Sequence, residues 1–209
     1  MVSMPMVVSP EQWQKERDSL LAAEKEATRR LDAIAAQRRR LPMVRFDNDK
    51  YHFATTDGPK RLLDFFAGQQ QLAVYQFMDN GPDQFCPGCT HLTRNVTDLA
   101  TLARNGVSWR TVSNMPLEQM EAYWARQGWN VPFASSHGTS FTDDCGAGGL
   151  FMLSLFFTDG SDVFRTYATT ARGLDRVLFT NNLLDLAPYG RQEEWEDSPP
   201  GWPQHPTYG

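Results

Sequence analysis

The chain has 209 residues, a length that suits one domain with additions or at most two small domains. Hydrophobic residues make up 41% of it, including 13 Phe, 6 Trp and 6 Tyr, so the bulk of the chain is expected to form a packed core rather than to be disordered. The formal net charge of −5 argues against a general nucleic-acid-binding protein, which would carry a basic face. Three cysteines are too few for a disulfide scaffold, and their odd number implies at least one free thiol.

The sequence also predicts where the protein resides. Its N-terminus lacks the basic region and the long apolar core of a signal peptide. The longest apolar stretch, around residues 150–157, is much shorter than a membrane span. We therefore expect a cytoplasmic protein with neither nucleic acid nor membrane as a partner, whose cysteines are mostly reduced at rest.

A long helix is predicted over residues 11–40, which contain neither Gly nor Pro. Ser9 is a suitable N-cap and Pro10 a suitable first helical residue. Apolar residues recur every seven positions along this helix, and the stripe that they form is a candidate surface for a homodimer. They are Trp13, Leu20, Ala27 and Ile34.

The middle of the chain is expected to supply most of a sheet. Residues 43–53 predict a hairpin, and residues 62–66 a short helix. The run Leu72–Met78 is apolar apart from Gln76, which predicts a central strand covered on both faces. Further strands are expected at 107–113 and 131–135, with a helix between them that opens at residues 114–116 and ends at Gly128.

The last elements complete a recognisable order. Residues 150–157 and 163–167 give the strongest hairpin signal, and a final helix is expected over residues 174–186. Strand–helix–strand–helix followed by an antiparallel hairpin and a helix is the thioredoxin-type order. We therefore predict an α/β, thioredoxin-like three-layer sandwich over residues 69–187. Residues 1–68 form an N-terminal extension of long helix, hairpin and short helix, and residues 188–209 an irregular tail rich in Pro and Trp.

The segment Cys86-Pro87-Gly88-Cys89 carries the clearest chemical signal, because it lies between the predicted strand 72–78 and a helical pattern. That pattern places Leu92, Val96, Leu99 and Ala103 on one face of a single helix. A cysteine at a helix N-terminus meets unsatisfied N–H groups that favour its thiolate. A spacing of three residues puts the second thiol on the same helical face, within reach of a disulfide.

This arrangement predicts a thiol–disulfide oxidoreductase that requires no cofactor. Cys86 is the expected nucleophile and Cys89 the resolving thiol. Its partners would be protein or small-molecule thiols and disulfides.

A metal-binding protein is the alternative from a different class. Cys145 lies just upstream of the strand expected to face Cys86 and Cys89, and His91 and His137 are candidate nitrogen ligands. Three cysteines and one histidine would suit zinc, and a smaller sulfur-rich set would suit Cu(I). Because the same sulfurs cannot bind metal and form a disulfide at once, the two alternatives exclude each other.

The chain resembles a bacterial family of thioredoxin-like proteins of unknown function, and the resemblance extends over nearly its whole length. The matching segments are Glu24–Arg29, Arg39–Pro42, Val74–Met78, Cys86–Cys89, Val112–Leu117, Gly128–Trp129, Ser135–Ser136, Val163–Tyr167, Ala171–Gly173 and Gly190–Pro199. The resemblance implies a thioredoxin-like fold but supplies no reaction.

Two features separate the chain from better-known relatives of that fold. Thioredoxins place a proline just before the strand that docks substrate, whereas residues 144–149 contain none. The chain also resembles the P-x-x-x-T-x-x-C pattern of peroxiredoxins, because Pro82 and Cys89 match its ends, but Cys86 occupies the position of the threonine. A peroxiredoxin-like thiol peroxidase is therefore a further alternative.

Overall fold

The computed structural model describes residues 4–205. The chain divides into two compact units. Of the described residues, one unit comprises residues 43–183 and contains a six-stranded sheet, and the other combines residues 4–42 with residues 184–205. Residues 43–68, which were predicted to belong to the N-terminal extension, thus lie in the unit that holds the sheet. Within residues 4–205, no helix has the length and apolar character needed to cross a membrane.

The elements follow one another in the predicted α/β order. The strands are β1 (Val44–Phe46), β2 (Gln71–Phe77), β3 (Val107–Ser113), β4 (Phe133–Ser135), β5 (Met152–Thr158) and β6 (Val163–Thr169). The α-helices are α1 (Pro10–Arg38), α2 (Pro87–Arg94), α3 (Leu99–Arg104), α4 (Leu117–Gln127), α5 (Phe141–Asp144) and α6 (Phe179–Leu184). Short 3₁₀ helices cover Asn48–Lys50, Leu62–Phe66 and Ala171–Val177.

The predicted N-terminal helix is confirmed. Ser9 caps α1 by accepting a hydrogen bond of 3.2 Å from the backbone N–H of Gln12, and Pro10 occupies the first helical position. None of the helix's residues is buried, and Trp13, at 57% exposed, lies on the apolar stripe. Homodimer formation through this stripe remains a prediction.

The sheet confirms the thioredoxin-like fold. Its strand order is β1-β6-β5-β2-β3-β4. Strand β2 pairs in parallel with β3 and antiparallel with β5, so it is central, as its apolar sequence predicts. The predicted hairpin of β5 and β6 is also present and forms the antiparallel side of the sheet.

The alternation of side chains along β2 divides the core into two clusters on opposite faces of the sheet. Leu72 and Val74 belong to an aromatic cluster, and Ala73, Tyr75 and Phe77 belong to what we call the cysteine cluster. The aromatic cluster includes Phe46, Tyr51, Phe53, Phe65, Phe141 and Phe156. The cysteine cluster includes Cys86, Cys89, Leu92, Met115, Met120, Tyr123 and Trp124. Helices α2 and α4 therefore cover one face of the sheet, while α5 and the segment before β2 cover the other.

The hairpin predicted for residues 43–53 is wrong. Strand β1 pairs instead with β6, where Phe46 lies opposite Val163, and the predicted turn is a 3₁₀ helix capped by Asp47. Tyr51 and Phe53 are buried beside Phe46 in the aromatic cluster. Burial of these three rings in one core determines the path of the chain, so Tyr51 and Phe53 do not form a strand paired with β1.

Two predicted helices are each divided in the structure. The expected continuous helix after Cys86 is interrupted between α2 and α3, where Asp98 adopts a left-handed conformation with φ of 45° and caps α3. The expected final helix starts as a 3₁₀ helix and continues as α6 after Leu178, whose backbone is extended. In both places the pattern of apolar residues continues across a break in the backbone hydrogen bonding.

The aromatic cluster should account for much of the stability of the sheet-containing unit. Phe53 is fully buried, with ring centroids 5.0 Å from Phe65 and 4.9 Å from Phe141. We expect Phe53→Ala to lower the free energy of unfolding by about 3–5 kcal/mol, because it removes a buried ring and leaves a cavity. Urea denaturation measures this, with Phe179→Ala as control. Phe179 is 70% exposed, so its replacement should change stability by less than about 0.5 kcal/mol. Equal effects of the two variants would contradict this account of the core.

Candidate active site

The C-P-G-C segment lies where β2 is followed by the start of α2. After β2 the chain makes a loop that closes through a bridge between Asp79 and Phe85, and Cys86 is then the N-cap residue of α2. Its backbone is extended, with φ −60° and ψ 119°, and Pro87 occupies the first helical position. Thr90 fixes the cap by donating its N–H and its hydroxyl to the Cys86 carbonyl, at 3.0 and 2.9 Å.

The side chain of Cys86 points back over the first turn of α2. Its sulfur accepts a hydrogen bond of 3.2 Å from the N–H of Cys89. A hydrogen bond from the Cys89 thiol, together with the N–H groups of Cys89 and Gly88, lowers the pKa of Cys86 to about 6, against the opposing effect of burial. At neutral pH Cys86 is therefore mainly a thiolate. It is 9% exposed, at the edge of the cysteine cluster.

Cys89 has the opposite character. It has no solvent exposure, and both the hydrogen bond to Cys86 and the loss of solvation raise the pKa of its thiol well above the ordinary value. Two groups act against that shift. The N–H of Met78 lies 3.5 Å from the sulfur, and the side chain of Tyr75 forms a hydrogen bond with it. The two thiols thus share one negative charge, which resides on Cys86.

An aromatic wall adjoins Cys86. The ring of Phe85, the residue before Cys86, stacks on Tyr123 with centroids 3.6 Å apart, and the guanidinium of Arg126 lies 5.0 Å from each ring centroid. The Tyr123 hydroxyl is 2.6 Å from Thr90 Oγ1. Beside this wall is an open cavity of about 350 Å³, whose lining also includes Pro82, Asp83, Glu118, Gln119 and Ala122.

Cys145 lies apart from the other two cysteines. It belongs to the aromatic cluster, on the other face of the sheet from Cys86 and Cys89. Burial raises the pKa of its thiol to about 12, despite the opposing effect of Arg165, whose guanidinium donates to the Cys145 carbonyl at 2.6 Å. The structure therefore gives this residue the role of a small buried core side chain.

The two candidate histidines have partners other than the thiols. His91 Nε2 is 3.0 Å from Asn181 Oδ1 and 2.9 Å from Thr180 Oγ1, so it connects α2 to α6. His137 Nδ1 donates to the carbonyl of Asn114 at 2.9 Å, on an exposed loop. Within residues 4–205, no three or more His, Cys, Asp or Glu side chains are grouped so that they could hold a metal ion. The alternative ligand set of Cys86, Cys89, Cys145 and a histidine is therefore not assembled.

Two groups at the site were missed by the sequence analysis. Tyr75 and the Met78 N–H both form hydrogen bonds with the Cys89 sulfur, although no sequence motif marks either of them. Alternation along β2 was the available signal for Tyr75, because the residues at 73, 75 and 77 share the face that α2 covers. The contact of a backbone N–H with a thiol leaves no trace in the sequence.

The pH dependence of alkylation tests the uneven ionisation of the three thiols. We expect iodoacetamide to react first with Cys86, along a profile with its midpoint near pH 6, because the thiolate is the reactive form above the lowered pKa. In Cys89→Ala the thiol donor is lost, so the midpoint should move up toward the ordinary value of about 8.5. Mass spectrometry identifies the modified residue.

Cys145→Ala is the matched control. Because Cys145 lies on the other face of the sheet, its replacement should leave the Cys86 profile unchanged. A wild-type profile like that of a free thiol would show that α2 does not activate Cys86.

Several solved structures are similar to this chain. A PrxQ mutant from Xylella fastidiosa is 14% identical, with a TM-score of 0.44 over 68% of this chain and 94% of that one. The peroxidoxin BcpB from Mycobacterium tuberculosis is 19% identical, with a TM-score of 0.41 over 62% and 90%. A secreted disulfide oxidoreductase from Mycobacterium tuberculosis, homologous to DsbE of E. coli, is 13% identical, with a TM-score of 0.42 over 63% and 96%.

The sequence of the chain identifies its family. None of the curated proteins compared with the chain matches it significantly. The family model described as "Bacterial protein of unknown function (DUF899)" matches residues 2–208, almost the whole sequence. The chain therefore belongs to this family of bacterial proteins.

Proposed function

We propose that this protein is a thiol–disulfide oxidoreductase in which Cys86 attacks and Cys89 resolves. The observation that carries the proposal is the division of roles between the two thiols. Cys86 is at the rim of its cluster with a lowered pKa, and Cys89 is fully buried one turn further along α2 with a raised pKa. A thiolate at the edge of the core, paired with a fully buried thiol, is an arrangement that suits disulfide exchange.

The reaction proceeds in two exchanges. The Cys86 thiolate attacks one sulfur of a substrate disulfide, forms a mixed disulfide and releases the other substrate sulfur as a thiolate, which takes up a proton. Cys89 then loses its proton and attacks Cys86 Sγ, so that the Cys86–Cys89 disulfide forms and the second substrate thiol leaves. The substrate is reduced by two electrons and the protein is oxidised by two. The reverse sequence would oxidise a substrate dithiol.

The site favours this reaction over that of a peroxiredoxin-like peroxidase. In the sequence pattern of peroxiredoxins, Cys89 would be the cysteine that attacks peroxide. Here Cys89 has no exposure and its pKa is raised, both of which oppose attack on a peroxide. A peroxidase mechanism would have to begin at Cys86 instead, and that position is where the pattern requires threonine.

Copper or zinc binding is supported less well than thiol exchange. Cys145 and His137 would have to leave partners on other parts of the unit to join Cys86 and Cys89. Two thiols alone could still hold a soft ion such as Cu(I). Such binding would block the exchange reaction, because it uses the same two sulfurs.

The setting proposed for the reaction is the cytoplasm, where thiols are kept reduced. The substrate is a protein or small-molecule disulfide. The cavity beside Phe85 is the proposed docking surface, because its wall is contiguous in sequence with Cys86 and combines two aromatic rings with a cation. A disulfide flanked by apolar groups would suit this wall.

Exchange with oxidised glutathione tests the proposal. Wild-type protein, first reduced, should form an intramolecular Cys86–Cys89 disulfide. Cys89→Ser should stop at a mixed disulfide between glutathione and Cys86, because the resolving thiol is missing. Cys86→Ser should slow all exchange by about a hundredfold or more, because only buried, protonated thiols remain. Mass spectrometry of quenched samples distinguishes the three products.

The third cysteine again provides the control. Cys145→Ala should behave like the wild type in this assay, because its side chain lies in the aromatic cluster. If Cys86→Ser exchanged as fast as wild type, or if the wild type formed no intramolecular disulfide, the proposed function would be wrong.

A further inference from the structure

Tyr75 is a buried side chain with a hydroxyl group on the face of β2 that α2 covers, where its neighbours Ala73 and Phe77 are apolar. It is 1% exposed and belongs to the cluster that holds both Cys86 and Cys89. Ala73, Tyr75 and Phe77 lie on the face of β2 that α2 covers, and among these three only Tyr75 has a hydroxyl group. That hydroxyl forms a hydrogen bond with the Cys89 sulfur. A Phe would fill the core equally well, so the hydroxyl has no packing role that explains it.

The surroundings of the Cys89 sulfur contain few groups that could stabilise charge. They are the Cys86 thiol, the N–H of Met78 at 3.5 Å and the Tyr75 hydroxyl. Two nearby polar side chains, one on α2 and one on α4, have partners other than the sulfur. His91 bonds to Asn181, and the Tyr123 hydroxyl is paired with Thr90.

We propose that Tyr75 is the positioning residue of the resolving step. Its hydroxyl holds the Cys89 sulfur and stabilises the charge that develops on this sulfur as Cys89 attacks the mixed disulfide. This inference rests on the proposed exchange reaction and deepens it. It gives a residue of β2 a part in the reaction, in addition to the two cysteines of the C-P-G-C segment.

The order of the two ionisations follows from the same contacts. In the reduced protein, the negative charge on Cys86 holds the proton on Cys89. Once Cys86 is bonded to a substrate sulfur, that charge is gone, while Tyr75 and the Met78 N–H are still in place to stabilise a thiolate at Cys89. Cys89 then releases its proton to solvent and attacks Cys86 Sγ. The bond between Cys86 and the substrate sulfur breaks, and the leaving sulfur keeps the electron pair and takes up a proton.

A symmetrical aromatic disulfide, 5,5′-dithiobis(2-nitrobenzoate), separates the two steps. Attack by Cys86 releases one coloured thiolate, and resolution by Cys89 releases the second, so stopped-flow absorbance records two phases. In Tyr75→Phe we expect the first phase to stay within about twofold of wild type. The second should slow by about tenfold, the order expected for losing a hydrogen bond to a charged group. The pH profile of the second phase should also shift upward, so that the difference shrinks in alkaline buffer.

Tyr51→Phe is the matched control, because it removes the hydroxyl of a buried tyrosine that lies in the aromatic cluster and bonds to Asp144, on the other face of the sheet from Cys89. Its second phase should keep the wild-type pH profile. If Tyr75→Phe left the second phase unchanged, or slowed both phases equally with no shift in pH profile, the positioning role would be overturned. A wild type that released no first thiolate would overturn the proposed function itself, and this result is distinct from a defect confined to the second phase.

A second replacement keeps the test valid if Tyr75→Phe folds poorly. 3-Fluorotyrosine at position 75 retains the ring and the hydroxyl but makes the hydroxyl a stronger donor. The pH profile of the second phase should then shift downward, and an unchanged profile would overturn the inference.

Discussion

The two sulfur atoms at the start of α2 are so placed that they can hold one negative charge but not two. Cys89 donates its thiol and its backbone N–H to Cys86, so the charge is stabilised on Cys86 and opposed on Cys89. The opposite shifts of the two pKa values are therefore one effect observed at two atoms. The start of α2 supplies the N–H groups. The difference in burial favours the charge on Cys86, because Cys86 is at the edge of the core and Cys89 is inside it.

The arrangement is built on the central position of β2. A strand paired on both sides is rigid, and its alternation sends Tyr75 toward the cysteine cluster and Val74 toward the aromatic cluster. The chain that leaves β2 brings the Met78 N–H to the Cys89 sulfur before it turns back into α2. Cys89 is thus hydrogen-bonded to Tyr75 of β2 and to the N–H of Met78, whereas the groups that donate to Cys86 belong to the first turn of α2.

Local sequence signals were sufficient for the elements that contain the site. The apolar run of β2, the helix start at Cys86 and the hairpin of β5 and β6 each depend on short-range patterns, and each was predicted. The errors concern contacts between residues distant in sequence. Strand β1 pairs with β6, more than a hundred residues away, and a periodic pattern carries no information about such a partner.

The break between α2 and α3 has a similar origin. Asn95 donates its amide to the carbonyl of His91 at 2.8 Å and accepts from the N–H of Thr180 at 3.0 Å, so it ends α2 by tying it to the start of α6.

The position of Cys145 could not be predicted either. A lone cysteine before a strand has no signal for the face on which it will be buried, and here it is the face away from Cys86. That separation has a chemical consequence: a third thiol within reach of Cys86 could attack the mixed disulfide in place of Cys89 and give a wrong pairing. Because the sheet lies between Cys145 and the pair, a mixed disulfide at Cys86 would have one thiol neighbour in its cluster, and the product of the proposed exchange would be determined by the fold as well as by the C-P-G-C segment.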